Sequence, residues 1–226
     1  MQRKSIMDIT SVRIFLNKGS ADSKVKGVAH VVINNAIVLR RIHLIENEND
    51  AENPRVVYPV YHLQTQGHRR CFYASNDESM ARLNETILAA YKTVLADPAN
   101  DTVVLMSQDD PETPFEITSA SIYPHNDPES STLAKVNIEL DGELWLRGMY
   151  LMKKEDGTVY LRMPRRTHAD GKRVDLFHPR TQVARDMLTD AVMPLYEVAV
   201  KAMDEAAADD AAPDAAADAA TTTDPA

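Results

Sequence analysis

Apolar and polar positions change their period twice along the chain. Leu133, Val136, Ile138 and Leu140 partly alternate with polar residues, the period of a strand with one face in a core. Leu144, Leu146 and Met149-Tyr150-Leu151 form the next run, followed by residues 159–163 and 174–177. Asp141-Gly142, Asp156-Gly157 and Asp170-Gly171 lie between the runs. Asp-Gly supplies the positive φ that a two-residue hairpin turn requires. After Thr181 the period lengthens. Val183, Met187, Leu188, Ala191, Val192 and Leu195 fall on one face at helical spacing, with Thr181 placed as the N-cap. Pro194 should kink this helix or begin a second one. The pattern predicts an antiparallel β-meander closed by a helix.

The same pattern occurs earlier. Residues 28–33, 37–45, 56–63 and 69–73 read as strands. A helix follows, with Ser75 or Asn76 as N-cap, Asp77 and Glu78 in the first turn, and Met80, Leu83, Ile87, Leu88 and Tyr91 on one face. Ile9-Thr10-Ser11 recurs as Ile117-Thr118-Ser119 at an offset of 108. Residues 33–39 mirror 140–146 at 107, and Phe72 and Tyr91 match Phe177 and Tyr196 at 105. Such a period is too long for a stacked solenoid repeat. The fold class expected is α+β: two tandem two-layer domains, each an antiparallel meander followed by a C-terminal helix.

Charge sharpens the boundaries. The net charge of −9 conceals seven acids and no Lys or Arg in residues 204–226, and six acids with no base in 97–116. The remainder carries +4. From Ala206 the chain uses only Ala, Asp, Pro and Thr, which offer no large apolar group to offset ordering entropy. The division is therefore a domain at 8–92, an acidic linker at 93–116, a domain at 117–203 and a disordered acidic tail at 204–226. Inside the linker, Val103-Val104-Leu105-Met106 suits a short strand. No apolar run reaches the roughly 18 residues of a membrane span. The single Cys71 cannot form an internal disulfide, so a cytoplasmic location is expected.

The stretch from Met163-Pro164-Arg165-Arg166-Thr167-His168 through Asp170-Gly171 to Val174-Asp175-Leu176-Phe177-His178-Pro179 resembles the signature of the stage V sporulation protein G (SpoVG) family. Residues 117–197 carry the resemblance. Residues 8–92 resemble the family more weakly: Asp8-Ile9-Thr10-Ser11-Val12-Arg13-Ile14 is a good family start, but Tyr58-Pro59 replaces Met-Pro and Tyr73-Ala74 replaces His-Pro. The resemblance implies a small bacterial regulator of septation or sporulation that binds DNA or RNA. It also implies sheet-to-sheet pairing, as a pseudo-dimer within this chain or as a homodimer of chains.

Arg162, Arg165, Arg166, His168, Lys172 and Arg173 span one hairpin, and Arg180 and Arg185 extend the positive charge into the helix. Lys and Arg meet phosphate through charge, and Arg adds a planar fork. Arg69 and Arg70 occupy corresponding ground in the first copy. These nine Arg and Lys residues are the candidate nucleic-acid contacts. Arg40 and Arg41 are strand neighbours and are expected to face opposite sides. Tyr58, Tyr61, Phe72 and Tyr73 carry rings of the kind that stack on bases, although such rings more often fill the layer between sheet and helix, the role assigned to Phe72. His68-x-x-Cys71 has metal spacing but too few companions for zinc, even with His43 and His62. Cys71 is expected to be a buried strand residue, and His178 to brace the start of the helix. No nucleophile elbow, P-loop or dinucleotide-binding glycine pattern occurs, so no enzyme, cofactor or metal is expected. The alternative reading is a protein-interaction module of the same fold without nucleic-acid binding.

Overall fold

The computed structural model describes residues 7–19, 23–50, 53–63, 67–105, 115–127, 129–167 and 170–210. The first half contains β1 (Ile9–Leu16), β2 (Val25–Ile33), β3 (Ile37–Ile45), β4 (Arg55–Val57), β5 (Val60–Leu63), β6 (Gly67–Arg70), β7 (Phe72–Ala74) and α1 (Asp77–Ala96). A short β8 (Thr102–Val104) follows. The second half contains β9 (Ile117–Pro124), β10 (Thr132–Leu140), β11 (Leu144–Lys153), β12 (Val159–Arg162), β13 (Arg165–Thr167), β14 (Arg173–Asp175), β15 (Phe177–Pro179) and α2 (Gln182–Asp210). The chain is thus α+β, with two tandem copies of one strand order ending in a helix.

The copies share their turns as well as their strands. Asn34 and Asn35 have φ of 49° and 53°, and Asp141 and Gly142 have 57° and 68°, so both turns have the two positive φ values of a type I′ hairpin. The recurring Ile-Thr-Ser motif has its purpose here. Thr10 Oγ1 accepts the Asn35 N–H at 2.8 Å, and Thr118 Oγ1 accepts the Gly142 N–H at 2.9 Å. Asn34 Oδ1 and Asp141 Oδ1 each accept a backbone N–H, from Asp8 and Glu116 respectively, at 2.7 Å. The two turns also meet, through Asn34 Nδ2 donating to Asp141 Oδ2 at 3.1 Å.

The sheets are not self-contained. β7 leaves the first sheet and pairs with β11, with Tyr73 opposite Trp145. β15 reciprocally pairs with β3, with His178 opposite Val38. Each exchanged strand is anchored at its end: the Ser75 N–H donates to the Glu143 carbonyl at 2.8 Å, and the Arg180 N–H to the Ala36 carbonyl at 2.6 Å. The sequence pattern places each meander wholly within its own copy; the last strand before each helix instead joins the other sheet. One apolar cluster consequently holds residues of both copies, including Leu39, Phe72, Ile138 and Phe177. The rings of Phe72 and Phe177 meet edge to face at 6.3 Å, both fully buried.

The helices cover their own ends of this core. Asn76 caps α1 by accepting the Ser79 N–H, and Thr181 Oγ1 accepts the Ala184 N–H at the start of α2. Pro194 lies within a single α2, where it removes the bond to the carbonyl of residue 190 without ending the helix. Residues 204–210 continue α2 rather than opening a disordered tail, because Ala is the best helix former and extends a helix already anchored upstream. Residues 211–226 lie outside the described residues. Part of the segment read as linker is structured: α1 runs to Ala96, and β8 pairs with β1 along its outer edge.

Candidate nucleic-acid interface

β3 and β11 each change partner midway. β3 pairs first with β15 and then with β4; β11 pairs first with β7 and then with β12. At both changeovers the register slips by a bulge, between Ala29 and Val31 and between Val136 and Ile138. The bulge residues are Arg41, with φ of 61°, and Gly148, with φ of 78°. This corrects the expectation for Arg40 and Arg41. The bulge suspends the alternation, both are half-buried, and neither enters the core face. Glycine meets the bulge conformation without strain, whereas arginine adopts it at a cost of roughly 1–2 kcal/mol.

A cleft of about 590 Å³ lies over the two bulges. It is lined by equivalent positions of both copies: Arg41 and Gly148 on the floor, His43 and Tyr150 beside them, and Tyr61 and Arg166 above. On one side Tyr61 sits close over Gly148, where an added Cβ would lie 3.2 Å from the ring. On the other side Arg166 faces Arg41. Burial and then the Arg166 charge pull the Arg41 pKa below its ordinary value. Burial, Arg41 and Arg166 lower that of His43 in the same way. The cleft thus gathers like charge from two copies, the electrostatic setting that a phosphate would relieve.

The nine residues singled out in the sequence are spread over five places. Arg165 and Arg166 line the cleft, but Arg165 Nε donates to Asp175 at 2.7 Å within its own hairpin. Lys172 and Arg173 are exposed on that hairpin, with Lys172 3.5 Å from Asp170. Arg162 lies at the end of β12, its guanidinium 5.1 Å from the Tyr150 ring centre. Arg180 and Arg185 are exposed near the start of α2. Arg69 and Arg70 are exposed on β6; Arg70 lies over Tyr58 at 5.8 Å, while Arg69 borders a different groove. His168 is outside the described residues.

Sequence reasoning misses Arg41 and His43 as members of the cleft, because the bulge that turns them there has no signal other than the glycine at the matching position 148. It also misses His30, half-buried beside Arg13 and Arg40 on the outer face of the first sheet. Burial, then Arg40, Arg13, Arg41 and His178, push the His30 pKa down to about 4. His178 braces its own segment, with Nδ1 3.0 Å from the Pro179 carbonyl. Cys71 is fully buried, and burial pushes its thiol up to about 12. Among the described residues no His, Cys, Asp and Glu cluster is fit to hold a metal ion. No helix among them is long and apolar enough to cross a membrane.

Comparison with known proteins matches each copy separately. The family model SpoVG matches residues 7–93 and again residues 115–198. A protein of Archaeoglobus fulgidus named "Putative septation protein SpoVG" is 34% identical over 82 residues, which cover 36% of this chain and 94% of that protein. A protein of the same name from Bdellovibrio bacteriovorus is 30% identical over 91 residues, covering 40% of this chain and 82% of its own length. Each relative therefore corresponds to about one copy. The two matched segments, the duplicated strand order and the paired type I′ turns have one explanation: this chain belongs to the SpoVG family and carries the family's domain twice.

Proposed function

We propose that the chain is a non-enzymatic regulator that binds DNA or RNA, with the cleft over the two bulges and the β13–β14 hairpin as its phosphate-binding surface. The observation that carries this reading is the convergence of Arg41, His43 and Arg166, drawn from two copies, on one cleft. Lys172 and Arg173 continue the basic surface outward along the hairpin. The cellular setting is the septation for which the relatives are named. Phosphate binding of this kind is salt-dependent, and each duplex phosphate that the protein neutralises adds about 0.9 to the steepness of the log–log slope. Affinity for duplex DNA, titrated against salt, tests it. Arg166→Ala with Arg173→Ala should weaken binding and flatten the slope by about 1.8, with unchanged circular dichroism. A double variant that binds with wild-type affinity and slope contradicts the proposal.

A further inference from the structure

The outer face of the second sheet has a chemistry that the cleft does not use. The exchanged strand β7 places Tyr73 directly opposite Trp145 on β11. Arg147, two residues along the same strand, holds its guanidinium 4.6 Å from the Tyr73 ring centre and 5.5 Å from that of Trp145. Arg147 Nε is buried and has no hydrogen-bond acceptor among the described residues. Lys135 of β10 lies 5.5 Å from the ring of Tyr61, which reaches over from β5. Tyr123 of β9, paired with Lys135, is 57% exposed.

Tyr61, Tyr123, Lys135, Trp145 and Arg147 border a groove of about 640 Å³ between the β5–β6 hairpin of the first copy and the sheet of the second, with Tyr73 supporting Arg147 from beside it. Arg69 of β6 supplies its third cation, and no carboxylate lines it among the described residues. Glu139, opposite Trp145 on β10, lies beyond the lining, toward Thr118. Burial lowers the Lys135 pKa, and Arg147 and Arg69 lower it further, so the three cations feel one another. An exposed Tyr123 and half-buried Trp145 and Tyr61 rings interleaved with cations match a ligand that offers flat rings and anions in alternation. Single-stranded nucleic acid is such a ligand: bases stack on the rings while phosphates meet Arg and Lys. A duplex hides its bases in the stack and offers only its phosphates.

We infer that this groove is a single-strand binding site, in which unpaired bases stack on Trp145, Tyr61 and Tyr123 and the backbone is held by Lys135, Arg147 and Arg69. The site rests on the nucleic-acid reading above; it adjoins the basic cleft through Tyr61, which lines both, and it needs both copies, since Tyr61 and Arg69 come from the first and the rest from the second.

Trp145 is the only tryptophan of the chain, so its emission reports on this groove alone. The full chain is titrated with a dodecamer of deoxythymidine and, separately, with a duplex of equal length. Quenching of Trp145 by the single strand is expected, along with a fall in single-strand affinity of about 5- to 100-fold in Trp145→Ala. Tyr123→Ala should cost less than Trp145→Ala and, being mostly exposed, reports on the groove should Trp145→Ala fail to fold. Duplex affinity should be unchanged in both. Duplex binding with no Trp145 quenching by the single strand, or single-strand affinity indifferent to both substitutions, overturns the inference and leaves the cleft standing. Binding of neither oligonucleotide removes the nucleic-acid reading itself.

Discussion

The outer faces of the two sheets occupy equivalent positions and have diverged in composition. On the first sheet Arg13 pairs across from His30, and His178 of the exchanged strand lies opposite Val38, with Arg40 adjoining. On the second, the matching positions are Ser121 across from Asn137, and Tyr73 opposite Trp145, with Arg147 adjoining. One cation is kept; histidines on one side answer to an amide and a ring on the other. The edges differ too. β8 covers β1 and brings Asp101 within 2.8 Å of Arg13, while β9 has no outer partner among the described residues. A duplicated scaffold has kept its core and its turns while its two outer faces changed: histidines stand on the first where an amide and a tyrosine stand on the second. A single-copy protein that pairs with itself cannot separate its faces in this way, since any change appears on both.

The core half of that comparison breaks most visibly. Phe72 and Phe177 hold equivalent central positions, so alanine at either should cost about 3–5 kcal/mol by chemical denaturation. Because the rings touch, the double variant should cost less than the two single costs added together. Near-wild-type stability in one of the single variants would show that the cores are not equivalent.

At the bulges the copies should respond unequally. Gly148→Arg meets both a φ of 78° and the Tyr61 ring, and should destabilise by about 2 kcal/mol. Arg41→Gly relieves a strained backbone while loosening the unfolded chain, and should leave stability within about 1 kcal/mol. Equal destabilisation by the two, measured by urea titration, would mean that the bulges are not interchangeable in the backbone.

The smallest effect is electrostatic. His30 refuses a proton in the fold until about pH 4, whereas an unfolded histidine accepts it near 6.5. Its contribution to stability is present above pH 6.5 and is lost as pH falls toward 4. Asp141, raised to about 6 first by burial, acts in the opposite sense, losing stability as pH rises from about 4 to 6. His30→Asn, which installs the residue of the second copy, should weaken the first trend, to which His43 and His178 also contribute, in a plot of melting temperature against pH. An unaltered profile would take His30 out of the charge balance of that face.

Much of the fold is legible because its signals are local. The Asp-Gly turns, the Thr181 and Asn76 caps and the apolar stripes follow from residue chemistry at short range. The near-constant offset between Phe72 and Phe177 also announces a duplication. The sheet that each strand joins is not local information: nothing in Phe72-Tyr73-Ala74 distinguishes pairing with β3 from pairing with β11. The candidate site suffers most from this. Arg165 and Arg166 stand out as basic residues, but their neighbours Arg41 and His43 come from the other copy through an exchanged strand and a bulge. Trp145 and Tyr73, 72 residues apart in sequence, become cross-strand partners for the same reason.

The central claim is that cations from both copies act on one ligand across the cleft. It is tested most directly by the salt dependence of duplex DNA affinity for Arg41→Gly, Arg166→Ala and their combination. Each single change should flatten the log–log slope by about 0.9, and the combination by about 1.8, while the folded signal is retained. If Arg41→Gly binds with the wild-type slope while Arg166→Ala does not, the second copy's hairpin works alone and the shared cleft is contradicted.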